Sequence, residues 1–210
     1  MRIKFDGTEG ELETPATNDK TGGVVLVQEY WGVNDHIRDI VKRLAGEGFR
    51  VLAPDLYHGK VTADAGEAQH MMSALDWARA VEDLAGAITY LRAHSNGKVA
   101  VAGFCMGGAL SFAIATQVPG LAAVCPFYGV PPGGDWSKVD APIQAHISKT
   151  DDWASPDKVE AILAQVKTEH ELHLYDAPHA FMNENRPEVY SKEAAALAWS
   201  RMLAFLRKHT

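Results

Sequence analysis

The stretch Val99-Ala100-Val101-Ala102-Gly103-Phe104-Cys105-Met106-Gly107 decides the fold of this 210-residue chain. Its apolar, β-branched first half predicts a buried strand, and the small apolar residues that follow, 108–115, predict a helix. The thiol of Cys105 lies at the apex of the sharp turn between them. Such an apex is strained and brings the backbone close to its neighbours, so Gly103 and Gly107 leave the space that it needs. The start of the helix adds a positive dipole end beside the sulfur, which favours the thiolate.

Predicted strands and helices alternate along the rest of the chain. The predicted strands cover residues 23–29, 49–53, 98–104, 121–128, 142–148 and 170–175. The predicted helices cover 34–46, 67–94 with a break near Asp76 and Trp77, the segment from the turn to Pro119, 155–167, and 187–207 with Pro187 in its first turn. This alternation predicts an α/β fold, formed by a mostly parallel, doubly wound sheet with helices on both faces. We expect a single domain over residues 1–210.

Composition and charge narrow the classes of partner. The formal net charge of -7 argues against nucleic acids and anionic membranes. Residues 1–7 lack the apolar core of a signal peptide, and two cysteines are too few for a secreted disulfide framework, which predicts a cytoplasmic protein. We expect a small-molecule partner, no cofactor and no metal, and the sequence is compatible with a monomer or a homodimer. It assigns no role to Cys125.

An acid and a histidine follow Cys105 in the order that nucleophilic catalysis on a doubly wound sheet requires. Asp151 and Asp152 follow the predicted strand 142–148, and His179 follows the last predicted strand. These loops meet at one edge of a parallel sheet, so we expect the side chains to lie close together. Asp152 is favoured over Asp151, because it lies four residues before Pro156 in a loop that turns into a helix. The glycines around Cys105 match neither dinucleotide nor phosphate-binding fingerprints.

With these residues in place, the sequence resembles the dienelactone hydrolase family of α/β-hydrolases over nearly its whole length. The motifs that carry the resemblance are Gln28-Glu29-Tyr30-Trp31-Gly32-Val33-Asn34, Pro54-Asp55-Leu56-Tyr57, Gly103-Phe104-Cys105-Met106-Gly107-Gly108, Asp152 and His179. The resemblance implies an α/β-hydrolase fold and the hydrolysis of an ester or lactone. It implies that Cys105 is the nucleophile, that His179 is the base and that Asp152 orients the imidazole. The reaction would pass through an acyl-thioester intermediate.

The resemblance also implies supporting roles around the thiol. Glu29 is the extra carboxylate of the family, which contacts the cysteine in the resting enzyme. The backbone N–H groups of Tyr30 and Met106 form the oxyanion hole. The residues expected to line the substrate pocket are Trp31, Tyr57, Phe104 and Asn183. Five further apolar residues could line it, although each is also typical of a core: Met71, Met72, Trp77, Phe127 and Trp153.

The chain departs from the family at the two arginines that hold the carboxylate of a small lactone. One of them lies four residues after the catalytic histidine, where this chain has Asn183. The other lies in a region that corresponds to residues 58–70, which contain no arginine. Arg186 or Lys60 could substitute, but a lysine is not a bidentate fork. A neutral ester is therefore as compatible with the sequence as the charged lactone.

Two other functions remain open at the level of the sequence. The same triad could serve a thioesterase or an organophosphate hydrolase. A non-catalytic ligand-binding or redox-sensing protein could keep Cys105 as a sensor thiol. A sensor does not need an aspartate and a histidine in this order, so the sequence favours a hydrolase.

Overall fold

The computed structural model describes residues 1–16 and 21–210, and its strands and helices alternate as the apolar runs predict. The strands are β1 (Arg2–Phe5), β2 (Thr8–Glu13), β3 (Gly23–Val27), β4 (Arg50–Pro54), β5 (Val99–Phe104), β6 (Ala123–Phe127), β7 (Ile143–Ser148) and β8 (His170–Tyr175). The helices are α1 (Asp35–Gly46), α2 (Ala65–Ser73), α3 (Trp77–His94), α4 (Met106–Ala115), α5 (Pro156–Leu163) and α6 (Lys192–His209), and a short 3-10 helix covers Trp136–Lys138.

Within the described residues the eight strands form one sheet, in the order β1-β2-β4-β3-β5-β6-β7-β8. The strands from β4 to β8 in this order are parallel, and β1 and β2 add an antiparallel edge. On one face a core cluster includes Leu84 of α3, Leu110 of α4 and Val159 of α5. On the other face a second cluster includes Ile37 of α1 and Met202 of α6. The predicted doubly wound α/β fold is confirmed.

The turn after β5 has the strained geometry that its glycines predict. Cys105 has a φ of 55° and a ψ of -115°, which are unfavourable for a residue with a side chain. A Cβ atom on Gly103 would lie 2.2 Å from the carbonyl oxygen of Gly107, and one on Gly107 would lie 2.3 Å from that of Val27. Both contacts are far inside van der Waals distance, so glycine is required at each position. The turn therefore holds the thiol at the carboxyl edge of a central strand.

Two regions differ from the sequence predictions. The last helix begins at Lys192 rather than Pro187, because the segment before it forms hydrogen-bonded turns, with the N–H of Arg186 donating to the carbonyl of Asn183 at 3.0 Å. At the amino end, β1 and β2 form a hairpin that the sequence analysis did not include, and both residues of its turn, Asp6 and Gly7, have positive φ. The predicted break near residue 76 is confirmed, since Asp76 caps the start of α3.

The longest helices, α3 and α6, each have 18 residues and carry charged side chains along their length. Across the ranges that the structure describes, no helix combines the length and the apolar composition that crossing a bilayer requires. Both helices instead pack against the sheet through one face. The two helices thus bound the domain on opposite sides of the sheet that carries Cys105.

Candidate active site

The thiol of Cys105 and the imidazole of His179 form a close pair. Nε2 of His179 lies 3.3 Å from Sγ of Cys105, within hydrogen-bond distance for sulfur. The loop after β8 carries His179 to this point. The hydroxyl of Ser148 at the end of β7 donates a hydrogen bond to the carbonyl of Ala177, and Ala180 has a φ of 64°, which turns the backbone sharply after His179. The predicted proximity of Cys105 and His179 is therefore found.

The carboxylate that orients the imidazole belongs to Asp151. Nδ1 of His179 donates a hydrogen bond to Oδ2 of Asp151 at 2.7 Å. The other oxygen, Oδ1, accepts the backbone N–H groups of Trp153 and Ala154, both at 2.9 Å. These two N–H groups hold the Asp151 side chain inward, whereas the neighbouring Asp152 is exposed to solvent. The preference for Asp152 was wrong, since the backbone after β7 turns the first of the two carboxylates inward.

The hydrogen bonds of this trio shift two pKa values. Burial disfavours protonation of His179, but its hydrogen bonds to Asp151 and Cys105 outweigh burial and raise the pKa of the imidazole to about 10. Burial disfavours ionisation of Asp151, but the hydrogen bonds from His179 and from the backbone N–H of Ala154 lower its pKa. The arrangement therefore favours an imidazolium placed between a carboxylate and the sulfur.

Glu29 lies at the same cleft but its hydrogen bonds lead away from the sulfur. Its Oε2 accepts a hydrogen bond from Nδ2 of Asn183 at 2.6 Å, and its Oε1 accepts one from the hydroxyl of Tyr128 at 3.3 Å. Within the described residues no hydrogen bond joins Glu29 to Cys105, although both residues line the same lobe of the cleft. Burial raises the pKa of Glu29 against the hydrogen bond from Asn183, which favours a neutral carboxyl group beside the thiol.

Two backbone N–H groups remain available for a developing negative charge. Met106 is the first residue of α4, so its N–H lies outside the helical hydrogen-bond ladder. Tyr30 follows β3 in the loop that passes beside Cys105, and it lines the same cleft. Within residues 1–16 and 21–210, neither N–H donates to another group of the protein. Both match the expected pair of oxyanion donors in being free to bind a substrate oxygen.

The sulfur opens into a cleft with two adjoining lobes, of about 220 and 190 Å³. Cys105, His179, Met72 and Trp153 line both lobes and lie at the boundary between them. We call the first the polar lobe, which is further lined by Glu29, Tyr30, Trp31, Ala180, Arg186 and Val189. We call the second the apolar lobe, which is further lined by Trp77, Met106, Ala109, Tyr128, Gly129, Val130, Pro132 and Ala154. The cleft thus offers different chemistry on the two sides of the sulfur.

The four residues expected to line the substrate pocket have different positions. Trp31 lines the polar lobe. Asn183 is buried and donates to Glu29, and it lines neither lobe. Tyr57 does not reach the cleft, because its hydroxyl donates to Sδ of Met106 at 3.3 Å and its ring lines a separate cavity. Phe104 was also placed wrongly. It is fully buried and packs against Phe127 in the core, because the strand directs its side chain to the face opposite α4.

Of the two cations that could replace the missing arginines, only Arg186 lies at the cleft. Its guanidinium is 5.2 Å from the centre of the Trp31 ring, and its Nε donates to Oε1 of Glu188 at 2.8 Å. Lys60 lines the separate cavity beside Tyr57. The polar lobe therefore has one guanidinium rather than a pair.

Among the five apolar candidates, Met72, Trp77 and Trp153 line the cleft, whereas Phe127 is core and Met71 lines the separate cavity. Sequence reasoning missed Tyr128, which reaches Glu29 from the end of β6. Its signal is its position, since it follows a strand at the same edge of the sheet as Cys105. In the part of the chain that the structure describes, no cluster of three or more His, Cys, Asp or Glu residues could hold a metal ion.

The sequence and the structure of this chain are both similar to those of known hydrolases. The family model described as the dienelactone hydrolase family matches residues 8–210. A carboxymethylenebutenolidase from Pseudomonas putida is 33% identical, over 96% of this chain and 92% of that protein. A candidate carboxymethylenebutenolidase from Saccharolobus solfataricus is 34% identical, over 88% of each protein. The crystal structure of a candidate dienelactone hydrolase from Klebsiella pneumoniae matches with a TM-score of 0.86 and 27% identity, over 95% of this chain and 92% of that one. The chain is therefore a hydrolase of ester or lactone bonds with the α/β-hydrolase fold, and it belongs to the dienelactone hydrolase family.

Proposed function

We propose that the chain hydrolyses a carboxylic ester or lactone by nucleophilic catalysis, with Cys105, His179 and Asp151 as the catalytic triad. One observation carries the proposal. A continuous path runs from Sγ of Cys105 to Nε2 of His179 at 3.3 Å, and from Nδ1 of His179 to Oδ2 of Asp151 at 2.7 Å. The sulfur end of this path opens into the cleft. A nucleophile, a proton carrier and an orienting carboxylate are thus aligned beneath a substrate-sized space.

The first half-reaction acylates the sulfur. The thiolate of Cys105 attacks the carbonyl carbon, and the electron pair of the C=O bond moves to the oxygen, which the N–H groups of Tyr30 and Met106 stabilise. Loss of one such donor costs roughly 3–4 kcal/mol in a comparable site. When the tetrahedral intermediate collapses, the C–O bond breaks and the departing alkoxide takes the proton on Nε2 of His179. The products of this step are an alcohol and an acyl thioester.

The second half-reaction releases the acid. Nε2 of His179, now neutral, removes a proton from a water molecule as the water oxygen attacks the thioester carbon. The intermediate collapses with cleavage of the C–S bond, which regenerates the thiolate beside the imidazolium. Asp151 keeps the imidazole in one orientation through both halves, because its Oδ2 fixes Nδ1 and its Oδ1 is fixed by two backbone N–H groups.

The polar residues around the cleft indicate what charge the substrate carries. Asn183 binds Glu29, and Arg186 shares its guanidinium with Glu188. This set supports a small substrate that does not depend on a free carboxylate, and we expect only a weak preference for a charged lactone over a neutral ester. Both cysteines are free thiols, which supports a reducing, cytoplasmic location.

The decisive experiment compares the two cysteines in hydrolysis assays. Cys105→Ala should lower the turnover of dienelactone and of a neutral p-nitrophenyl ester by roughly 10⁴-fold or more. Cys125→Ala is the matched control and should retain turnover, because Cys125 lies in the core away from His179. Quenched wild-type reactions should contain protein with the mass of one acyl group added, and Cys105→Ser should accumulate an oxygen ester more slowly.

Full turnover by Cys105→Ala would refute the nucleophile assignment. Thioester and phosphotriester substrates, assayed beside the carboxylic esters, test the rival uses of the same triad. A rate that is highest on either of these classes would overturn the assignment to carboxylic esters.

A further inference from the structure

The two lobes of the cleft differ in the ionisable side chains that line them beyond the groups that they share. Cys105 and His179 lie at the floor of both lobes, and Met72 and Trp153 lie between them. Beyond this boundary the polar lobe contains the carboxyl group of Glu29 and the guanidinium of Arg186. The apolar lobe has no charged side chain beyond this boundary among its described lining residues. A reacting carbonyl at the sulfur would thus have a polar environment on one side and a hydrocarbon environment on the other.

The exposure of Trp153 marks the boundary of the two lobes as a surface for a ligand. Its indole is 65% exposed, although large aromatic side chains are normally covered by protein. The position of the residue is fixed, because its backbone N–H donates to Oδ1 of Asp151 at 2.9 Å. The indole lies 6.3 Å from the imidazole of His179, measured between ring centres. An uncovered indole on an anchored backbone beside the reacting groups can lose its water to an apolar part of a substrate.

We propose that the apolar lobe is a binding subsite for a hydrocarbon group of the substrate, so that the preferred substrates are esters with an apolar chain. This inference rests on the proposed function, since it places the ester carbonyl at Cys105. Trp77, Ala109 and Val130 line this lobe together with Trp153. The hydrocarbon group can belong to the acyl side or to the alcohol side of the ester, and the assays below distinguish the two.

The first measurement is the dependence of kcat/KM on chain length. Each methylene that moves from water into an apolar site increases affinity by roughly twofold to fourfold. In the wild type, kcat/KM should rise by this factor per methylene from the acetyl to the hexanoyl p-nitrophenyl ester, and then level off. A second series of acetate esters with longer alcohol chains is assayed in parallel. The series that shows the rise identifies which side of the ester occupies the lobe.

Matched valine variants locate the effect. Val130→Phe fills the apolar lobe and should reduce the hexanoyl-to-acetyl ratio of kcat/KM at least tenfold in the series that shows the rise. Val130→Ala enlarges the lobe and should shift the optimum to a longer chain. Val61→Phe is the control, because Val61 is exposed and lies outside both lobes. An unchanged ratio in both Val130 variants, or an equal change in Val61→Phe, would overturn the inference.

Thiol labelling tests the lobe without any hydrolysis. N-alkylmaleimides add across their double bond to the thiol of Cys105, and the labelling rate should rise from the methyl to the hexyl reagent in the wild type. Val130→Phe should flatten this rise, and Cys105→Ala should not be labelled. If the rise occurs but no ester is hydrolysed, the proposed function fails while the apolar subsite stands. If esters are hydrolysed but neither series depends on chain length, the subsite fails alone.

Discussion

The two cysteines lie on neighbouring strands but have opposite environments. Cys125 lies within β6, opposite Ala102 of β5, and is fully buried in an apolar cluster. Burial raises the pKa of its thiol. Cys105 lies just beyond the end of β5, is half-buried, and has the imidazole of His179 at 3.3 Å. A displacement of a few residues along parallel strands therefore separates a thiol packed in the core from the proposed nucleophile.

The difference shows that the position relative to the edge of the sheet, rather than the residue type, gives the two thiols their different environments. Inside the sheet, the side chain of Cys125 packs in an apolar cluster. At the carboxyl edge the loops after β7 and β8 bring Asp151 and His179 over the end of β5. The start of α4 adds its unpaired N–H groups at the same place.

The largest expected contrast is in alkylation of the folded protein. Iodoacetamide should modify Cys105 roughly 10⁴-fold faster than Cys125, because modification of Cys125 requires the core to open. In urea at concentrations that unfold the chain, the two rates should agree within a few fold. Peptide mapping by mass spectrometry measures both rates in one sample. Comparable labelling rates of the two thiols in the folded protein would contradict their assignment to a buried and an accessible environment.

The next contrast concerns the carboxylate behind the imidazole. Asp151→Asn should lower kcat/KM by roughly 10³-fold, because the amide no longer fixes the tautomer and orientation of His179. Asp152→Asn should change kcat/KM by less than about threefold, because its side chain is exposed. Circular dichroism and thermal unfolding of both variants serve as controls for folding. Equal losses in the two variants would contradict the assignment of Asp151.

Cys105 is expected to react faster than Cys125, but substitution of Cys125 is expected to destabilise the fold more. Cys125→Ser places a hydroxyl in an apolar cluster, and the free energy of unfolding should fall by roughly 1–3 kcal/mol. Cys105→Ser should cost less than about 1 kcal/mol, because its side chain reaches the cleft and His179 remains a partner. Urea denaturation followed by tryptophan fluorescence compares the two variants. The interpretation fails if Cys105→Ser is the more destabilised protein.

The smallest shift is in the alkaline limb of the pH profile. The leaving alkoxide takes its proton from His179, whose pKa is raised to about 10, so kcat/KM for an alkyl ester should persist above pH 6.5 and fall as the pH rises through about 10. Asp151→Asn removes a hydrogen bond that raises this pKa, and the alkaline limb should move down by at least about one unit. Asp152→Asn should leave it in place. A wild-type profile that already falls near pH 6.5 would show that the imidazole is not held protonated.

Sequence reasoning predicted the turn and the thiol–imidazole pair because each is determined by local chemistry or strand order. Gly103 and Gly107 report a backbone that tolerates no Cβ atom, and the position of His179 after the last strand places it at the correct edge. The choice between Asp151 and Asp152 could not be made in this way. It depends on which carboxylate accepts the N–H groups of the next two residues, and the spacing allows either.

The wrong predictions for Phe104 and for the start of the last helix arose because tertiary packing, rather than the local sequence, determines both. Phe104 follows an apolar strand beside the nucleophile, but the alternation of the strand turns its ring into the core. Pro187 suits the first turn of a helix, yet residues 183–190 form turns that place Arg186 at the cleft, and α6 begins later. The hairpin turn Asp6-Gly7 was readable, since an Asp-Gly pair between short alternating segments is a strong hairpin signal.

The carboxylate of Asp151 accepts hydrogen bonds from the imidazole of His179 and from the backbone N–H of Trp153. In the mechanism that we propose, rate and substrate range therefore depend on the same side chain. Replacing the loop after β7 with that of a relative, in order to engineer selectivity, would loosen the triad unless the aspartate and the two following N–H donors were transferred as one cassette. Mutating the Trp153 side chain alone leaves that backbone anchor in place, which makes it the safer starting point for directed evolution.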